Sequence, residues 1–218
     1  MMTMQGVTFG DLHSYRDLKL ILGSKEIGSP AVKTKTVEIE GADSSLDLTE
    51  FFGEAKFENV THKFQFSTIV PQAQFMSQFS AVKNALHGKK LRIAIDGDPL
   101  FYYIGRCQVS SFTSARGVGM VSVECDCEPY KYKVEKTVAK ITVNGTFTAS
   151  LPNSRKRVVP EVKVETASTI NIVYGEGNIW DLGSGSYTLP ELELVEGENS
   201  VTVTGTGTVT FTYQEGSL

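Results

Sequence analysis

The sequence predicts a mainly β protein with one α-helix, divided into two domains at residues 1–132 and 133–218. Three observations carry this. Runs of β-branched and aromatic residues alternate with period two, a single segment has helical spacing, and from about residue 133 the chain turns into short Thr- and Gly-rich runs broken by turn signals. A length of 218 residues suits one large domain or two small ones, and the change of character near residue 133 favours two.

In the first domain the helix is the clearest element. Across residues 71–88, Phe75, Met76, Phe79, Val82 and Leu86 recur at helical spacing, Pro71 suits a first turn and Gly88 a terminus. Its apolar stripe is expected to pack on a sheet. Residues 33–39, with Val37 and Ile39 alternating, residues 63–70, with Phe64, Phe66 and Thr68, and residues 91–95 read as strands. Asp96-Gly97-Asp98-Pro99 supplies turn chemistry, so residues 91–95 and 100–109 should form a hairpin. Residues 118–125 return as a further strand after the Gly-rich turn at residues 116–119, and residues 127–132 close the domain.

The second domain reads as an antiparallel sandwich. Expected strands are residues 139–143, 146–151, 161–166, 169–174, 186–189, 191–195, 200–204 and 208–213. Asn144-Gly145, Gly175-Glu176-Gly177-Asn178 and Glu196-Gly197-Glu198-Asn199 are the turn signals between them. Alternation of Val201 and Val203, and of Val209, Phe211 and Tyr213, with Thr between, suits a sheet with one buried and one wet face.

Composition excludes several classes of function. Apolar residues make up 40% and charged residues 21%, which can fill a core. A net charge of -4 and pI near 5.5 give no domain-wide positive field for a nucleic-acid backbone. The one basic cluster, Arg155-Lys156-Arg157, reads as a solvated loop. Residues 1–6 lack the charge and apolar stretch of an export signal, and no run is long enough to span a bilayer. The protein is therefore expected to be made in the cytosol and to leave it, if at all, without such a signal.

Chemistry-bearing patterns are sparse. The cysteines are Cys107, Cys125 and Cys127; the last two should share one strand face as buried thiols, with no histidine near to complete a metal site. The histidines, His13, His62 and His87, stand in no triad setting. Gly183-Ser184-Gly185-Ser186 has the wrong spacing for a nucleophile elbow, and Gly205-Thr206-Gly207 lacks the third glycine and the helix of a phosphate cradle. Asp96 with Asp98, and Asp43 with Asp47 and Glu50, are the carboxylate groups to weigh for glycoside hydrolysis; tight-turn roles explain both, and no calcium loop spacing is present. Neither a catalytic residue nor a metal or cofactor is expected. Trp180, flanked by Tyr174 and Tyr187, is the candidate for stacking on a sugar ring, against the plainer reading of a core tryptophan.

Several motifs are familiar. Phe9-Gly10-Asp11-Leu12-His13-Ser14-Tyr15-Arg16-Asp17-Leu18 is followed by Pro30-x-x-Lys33-x-x-x-Val37-x-Ile39-x-Gly41-x-Asp43-x-x-Leu46-Asp47-Leu48-Thr49-Glu50. Later come Leu86-His87-Gly88-Lys89, then Asp96-x-Asp98-Pro99 with Tyr102-Tyr103-x-Gly105-Arg106, and finally Glu128-Pro129-Tyr130-Lys131-Tyr132. In this order they resemble the distal tail proteins of long-tailed bacteriophages and the related prophage tail components. Where that family usually has Val-x-Ile-Pro-Gly-x-Asp-Gly, Glu40 replaces the proline and Ser44 the second glycine. Leu189-Pro190-x-Leu192-x-Leu194, Gly197-x-Asn199 and Gly205-x-Gly207 look like the galectin-like sandwich that often follows.

The resemblance implies a barrel-like N-terminal domain that builds a hexameric ring at the tip of a virion tail, with galectin-like sandwiches projecting outward. Its implied partners are further copies of itself, the tail-tube protein, the tail-associated lysin or tip protein, and a receptor-binding protein. Such a ring needs a head-to-tail interface whose rotation closes. Val37, Ile39, Gly41, Asp43, Asp47 and Leu48 are the residues expected at that contact, because they join an alternating strand to a Gly/Asp turn. The alternative is a carbohydrate-binding adhesion protein that holds host glycan at Tyr174, Trp180 and Tyr187.

Overall fold

The computed structural model describes residues 5–51 and 53–218. The expected absence of an export signal at the N-terminus falls mostly on residues 1–4, outside the described residues. The chain separates into two units, one running to Lys131 and including Leu218, the other Tyr132–Ser217.

The first unit contains β1 (Val7–Phe9), β2 (Leu12–His13), β3 (Leu20–Ile27), β4 (Thr36–Val37), β5 (Leu46–Asp47), β6 (Val60–Thr68), α1 (Phe75–Leu86), β7 (Lys90–Ile95), β8 (Phe101–Ala115) and β9 (Val118–Cys127). One antiparallel sheet runs in the order β2-β1-β7-β8-β9-β6-β3, while β4 and β5 pair only with each other. It is a curled half-barrel, and register shifts at Leu22/Ser24 in β3 and Val109/Ser111 in β8 supply local bending. The concave side is apolar because alternate residues of each strand face it: Val60, Phe64 and Phe66 on β6, Val121, Val123, Cys125 and Cys127 on β9, and Ile93 and Ile95 on β7. Phe9 meets Phe64 edge-on at 5.9 Å and Phe66 at 6.2 Å.

The expected helix forms, shortened to Phe75–Leu86 after a single 3₁₀ turn at Gln72–Gln74. Val82 and Leu86 enter the sheet core, with Phe79 packed against it. Met76 does not follow the stripe; it is 64% exposed, lying outside the narrow arc that the sheet covers. Gly88, at φ 79°, ends the helix in the conformation that glycine tolerates best. The expected hairpin between β7 and β8 is present, as is the return through β9. The turn between β8 and β9 is Arg116-Gly117, both at positive φ.

The second unit holds β10 (Lys131–Lys133), whose Lys133 and Tyr132 open it, then β11 (Thr137–Asn153), β12 (Glu161–Thr166), β13 (Ile170–Tyr174), β14 (Asn178–Leu182), β15 (Gly185–Thr188), β16 (Gly197–Tyr213) and β17 (Gly216–Ser217). β11 and β16 run antiparallel over their full lengths, from Thr137 opposite Tyr213 to Asn153 opposite Gly197. One half of β16 continues into β12 and β15, the other into β13 and β14. The two halves face each other across a core of Val162, Val164, Val209 and Phe211 on one side and Ile170, Ile172, Val201 and Val203 on the other.

Six of the expected strands are corrected. Residues 139–143 and 146–151 are one strand, and so are 200–204 and 208–213. Asn144-Gly145 makes no turn because Gly145 (φ 112°) lies opposite Gly205 (φ 142°), so both strands run on together from one half of the sheet to the other. At Gly207 a side chain would come within 2.5 Å of the Glu165 carbonyl oxygen. Residues 191–195 form no strand, only a bridge from Leu194 to Val158, because the chain turns at Pro190 with Leu192 N–H bonded to the Leu189 carbonyl. Residues 33–39 contribute only the two residues of β4. Strand β14, which carries Trp180, lies partly where a turn was expected.

Candidate functional site

The most unusual surface is an arm between β3 and β6. Its legs are joined by a bridge between Val32 and Phe57 and by hydrogen bonds from Lys33 N–H to the Lys56 carbonyl and from Glu58 N–H to the Ala31 carbonyl, both 2.8 Å. Farther out, β4 and β5 pair Thr36 with Asp47 and Val37 with Leu46. Leu48 N–H reaches the Lys35 carbonyl at 2.7 Å, and Lys35 N–H reaches the Thr49 hydroxyl at 3.0 Å. Asp47 Oδ1 accepts from Thr49 N–H at 2.8 Å; the hydroxyl and backbone of Thr49 together hold its carboxyl below the ordinary range. At the tip Ala42 N–H bonds to the Ile39 carbonyl, and Gly41 takes φ 83°.

The arm is short in local apolar cover. Val32, Val37, Ile39, Leu46 and Phe51 are 43–70% exposed where core residues of the unit approach zero. Isolated exposed apolar residues are ordinary, but a cluster on one two-stranded projection is not, since a lone hairpin is marginal in water. Of the residues expected at a subunit contact, Val37, Ile39, Gly41, Asp43 and Asp47 lie exposed on the arm and Leu48 is half-buried near its base. Val32 and Leu46, within the stretch from about residue 30 to 50 expected at the contact though not singled out, and Phe51, just beyond it, are exposed on the arm as well.

The sandwich aromatics are arranged differently. Trp180 lies opposite Ile172, and Ile172 opposite Val203, so the indole is on the inward face of an edge strand, packed against the core. Tyr187 pairs with Val162, also inward, and its hydroxyl donates to the Gly183 carbonyl at 3.1 Å. Tyr174 donates to the Glu193 carbonyl at 2.8 Å and lies 2.9 Å from Asn199 Oδ1. Asn199, buried, also receives Val195 N–H at Oδ1 and donates through Nδ2 to the carbonyls of Leu151, Val195 and Gly197. The three rings are members of the sandwich packing and not a common outward platform.

The titratable groups serve the fold. His13 Nε2 pairs with Asp96, His62 is buried, and His87 Nδ1 accepts from Val109 N–H at 3.2 Å. Asp98 pairs with Lys131 at 3.1 Å. The basic cluster lies in a partly exposed loop and its charges are paired: Arg155 meets Glu196 at 2.6 Å, Arg157 meets Glu193 at 3.0 Å, and Lys156 donates to the Tyr132 hydroxyl at 2.7 Å. A cleft lined by Thr61, His87, Gly88, Arg106, Glu124 and Asp126 mixes both signs of charge. Among the described residues, no group of three His, Cys, Asp or Glu side chains is placed to hold a metal ion, and no helix is long and apolar enough to cross a membrane.

Comparison with family models finds no match, and neither does sequence comparison with curated proteins. Comparison of folds does. The crystal structure of the Dit protein (gp 19.1) of phage SPP1, described as a paradigm of the hub adsorption apparatus of phages infecting Gram-positive bacteria, is similar with a TM-score of 0.73. Identity is 12%, and the similarity covers 97% of this chain and 99% of that one. A likeness that runs through both units with so little sequence in common establishes the architecture: this chain has the fold of the SPP1 Dit protein.

Proposed function

We propose that the chain is a structural hub protein of a phage or prophage tail tip. It forms a hexameric ring that joins the tail tube to the baseplate or tip and to receptor-binding proteins, and it has no catalytic role. The observation that carries this reading is the fold shared with SPP1 Dit over nearly the whole of both chains. In this reading residues 1–132 build the ring, and residues 133–218 form a galectin-like sandwich that projects from it. Its partners are its own copies, the tail-tube protein, the tail-associated lysin or tip protein and the receptor-binding protein, and its location is the virion tail tip.

The arm supports the self-association. An exposed apolar hairpin is the kind of surface a head-to-tail contact needs, because the partner copy supplies the cover the arm lacks. Val37, Ile39 and Leu46 would be buried there, with Gly41, Asp43 and Asp47 shaping the tip and Leu48 its base. Electron microscopy of the chain mixed with its tail-tube protein tests this directly. A six-fold annulus capping the tube is expected, and a chain found as single copies in the native particle would end the proposal.

A further inference from the structure

We propose that Cys107 and Cys125 are a disulfide-forming pair, which an oxidant of the peroxide class converts into a cross-strand S–S bond while Cys127 stays a free thiol. The inference concerns the chain itself and stands apart from the proposed hub function.

The sheet selects this pair. In the β8–β9 ladder Cys107 lies directly opposite Cys125. The N–H and carbonyl of Cys107 both point away from β9, to the Lys89 carbonyl at 2.9 Å and the Gly88 N–H at 2.8 Å. Cys107 and Cys125 are therefore a non-hydrogen-bonded pair, the position in an antiparallel ladder where facing side chains approach most closely and Cα atoms fall within the range a disulfide can bridge. The two sulfurs are already 3.3 Å apart.

The same ladder excludes Cys127. Its opposite number is Gly105, which offers no side chain, and the Cys127 sulfur fills the space so left: a Cβ on Gly105 would lie 2.4 Å from it. Two adjacent cysteines on one strand face thus have different fates. One has a thiol opposite, the other a glycine.

All three thiols are buried and free, which bars bulky disulfide oxidants and leaves one the size of water. The Cys107 sulfur attacks a peroxide oxygen, the O–O bond breaks, and the departing hydroxide takes up the thiol proton as water, leaving a sulfenic acid. The Cys125 sulfur then attacks the Cys107 sulfur. The S–O bond breaks and the second hydroxide leaves with the Cys125 proton, so two thiols and one peroxide give one disulfide and two waters. The hydrogen bond from Cys125 draws the Cys107 thiol below its ordinary range and pushes Cys125 up, which makes Cys107 the first to react.

The test uses the purified full-length chain, fully reduced and then incubated folded with hydrogen peroxide. Thiols are counted after unfolding in an alkylating agent, and the peptides are mapped by mass spectrometry. A loss of two thiols is expected, with one cross-linked species joining the Cys107 and Cys125 peptides, lighter by two hydrogens, and Cys127 alkylated. Cys127→Ala should keep the thiol loss and a raised thermal midpoint of the oxidised form, and Cys107→Ala should abolish both. The wild-type map alone decides the matter even if a variant folds poorly. Three alkylated cysteines after oxidation, or a bridge that includes Cys127, would overturn the proposal.

Discussion

His13 Nε2 lies 3.1 Å from Asp96 Oδ2, a side-chain pair 83 residues apart in the chain. The same carboxylate oxygen accepts the Gly6 N–H at 2.8 Å, while His13 Nδ1 accepts the N–H groups of Tyr15 and Arg16. With Nδ1 taken as an acceptor, Nε2 carries the proton and donates to Asp96. This knot ties the first turn of the chain to the β7–β8 hairpin, linking two of the motifs that made the sequence familiar. Asp96→Ala leaves the buried imidazole donor and the Gly6 N–H without their acceptor, at a cost of about 1–3 kcal/mol. Urea unfolding should show a lower midpoint at unchanged slope, with Asp96→Asn falling between the two.

Arg116 at φ 51° precedes Gly117 at φ 78° in the two-residue loop between Ala115 and Val118. Both central residues at positive φ define a type I′ turn, in which Asn-Gly is the favoured pair and arginine is strained. Arg116→Asn is expected to raise stability, readable as an upward shift of the thermal midpoint. No change, or a fall, would mean that the turn differs from this geometry.

His62 is fully buried on β6 between β3 and β9, and neither ring nitrogen has a hydrogen-bond partner among the described residues. Its ring packs edge-on against Tyr103 at 4.4 Å. Burial disfavours the charged form and pushes its pKa down. The unfolded chain therefore binds a proton that the folded chain refuses, so stability is full above the unfolded value of about 6.5 and falls as pH drops below it. Wild-type urea midpoints should fall between about pH 7 and pH 5, and His62→Phe, which keeps a ring against Tyr103, should flatten that stretch. Glu215 acts lower. Burial alone would raise it, but hydrogen bonds from Lys133, Ser154 and Thr137 outweigh this and hold it down, so its contribution is lost only below the ordinary carboxylate range.

The sequence made the period-two strands, the lone helix and the β7–β8 hairpin legible, because each is a local pattern with a local cause. It misled where a local signal met a distant partner. Asn144-Gly145 is a sound turn signal, yet Gly205, sixty residues on, lets both strands run on in step. Trp180 was visible as a lone tryptophan, but its inward direction depends on pairing with Ile172 and then Val203. In the arm, the Gly41 turn and the alternation of Val37 and Ile39 were readable, while the exposure of Phe51 was not. Nothing in a run of apolar residues says whether another chain segment covers it.

Asn199 holds Tyr174 and three backbone carbonyls at the end of the sandwich. Asn199→Ala should cost about 2–4 kcal/mol, since it strands several buried polar groups at once. Tyr174→Phe removes only the hydroxyl and should cost about 1 kcal/mol. Trp180→Ala, which withdraws an indole from the core margin, is expected to act on stability as well. The three variants should lower the unfolding midpoint of an isolated 133–218 fragment or of the whole chain in that order of kind. If Trp180→Ala instead left stability intact and removed binding to a glycan array, the adhesion alternative would take precedence.

The subunit contact proposed for the arm can be tested separately from folding. Val37 and Leu46 face each other across β4 and β5 and are 43% and 49% exposed, so neither contributes much to the core of its own subunit. Surface positions of this kind usually change monomer stability by no more than about 0.5 kcal/mol. A charge placed at an interface core must be desolvated without a partner, and the penalty is several-fold larger. Val37→Asp and Leu46→Lys are therefore each expected to leave thermal unfolding of the isolated chain nearly unchanged while abolishing ring formation. Paired in one chain, the two could satisfy each other across the hairpin and restore part of the assembly. Sedimentation velocity of wild type, both single variants and the double variant reads all four states. Equal sedimentation of every variant with an assembled wild type would move the subunit contact off the arm.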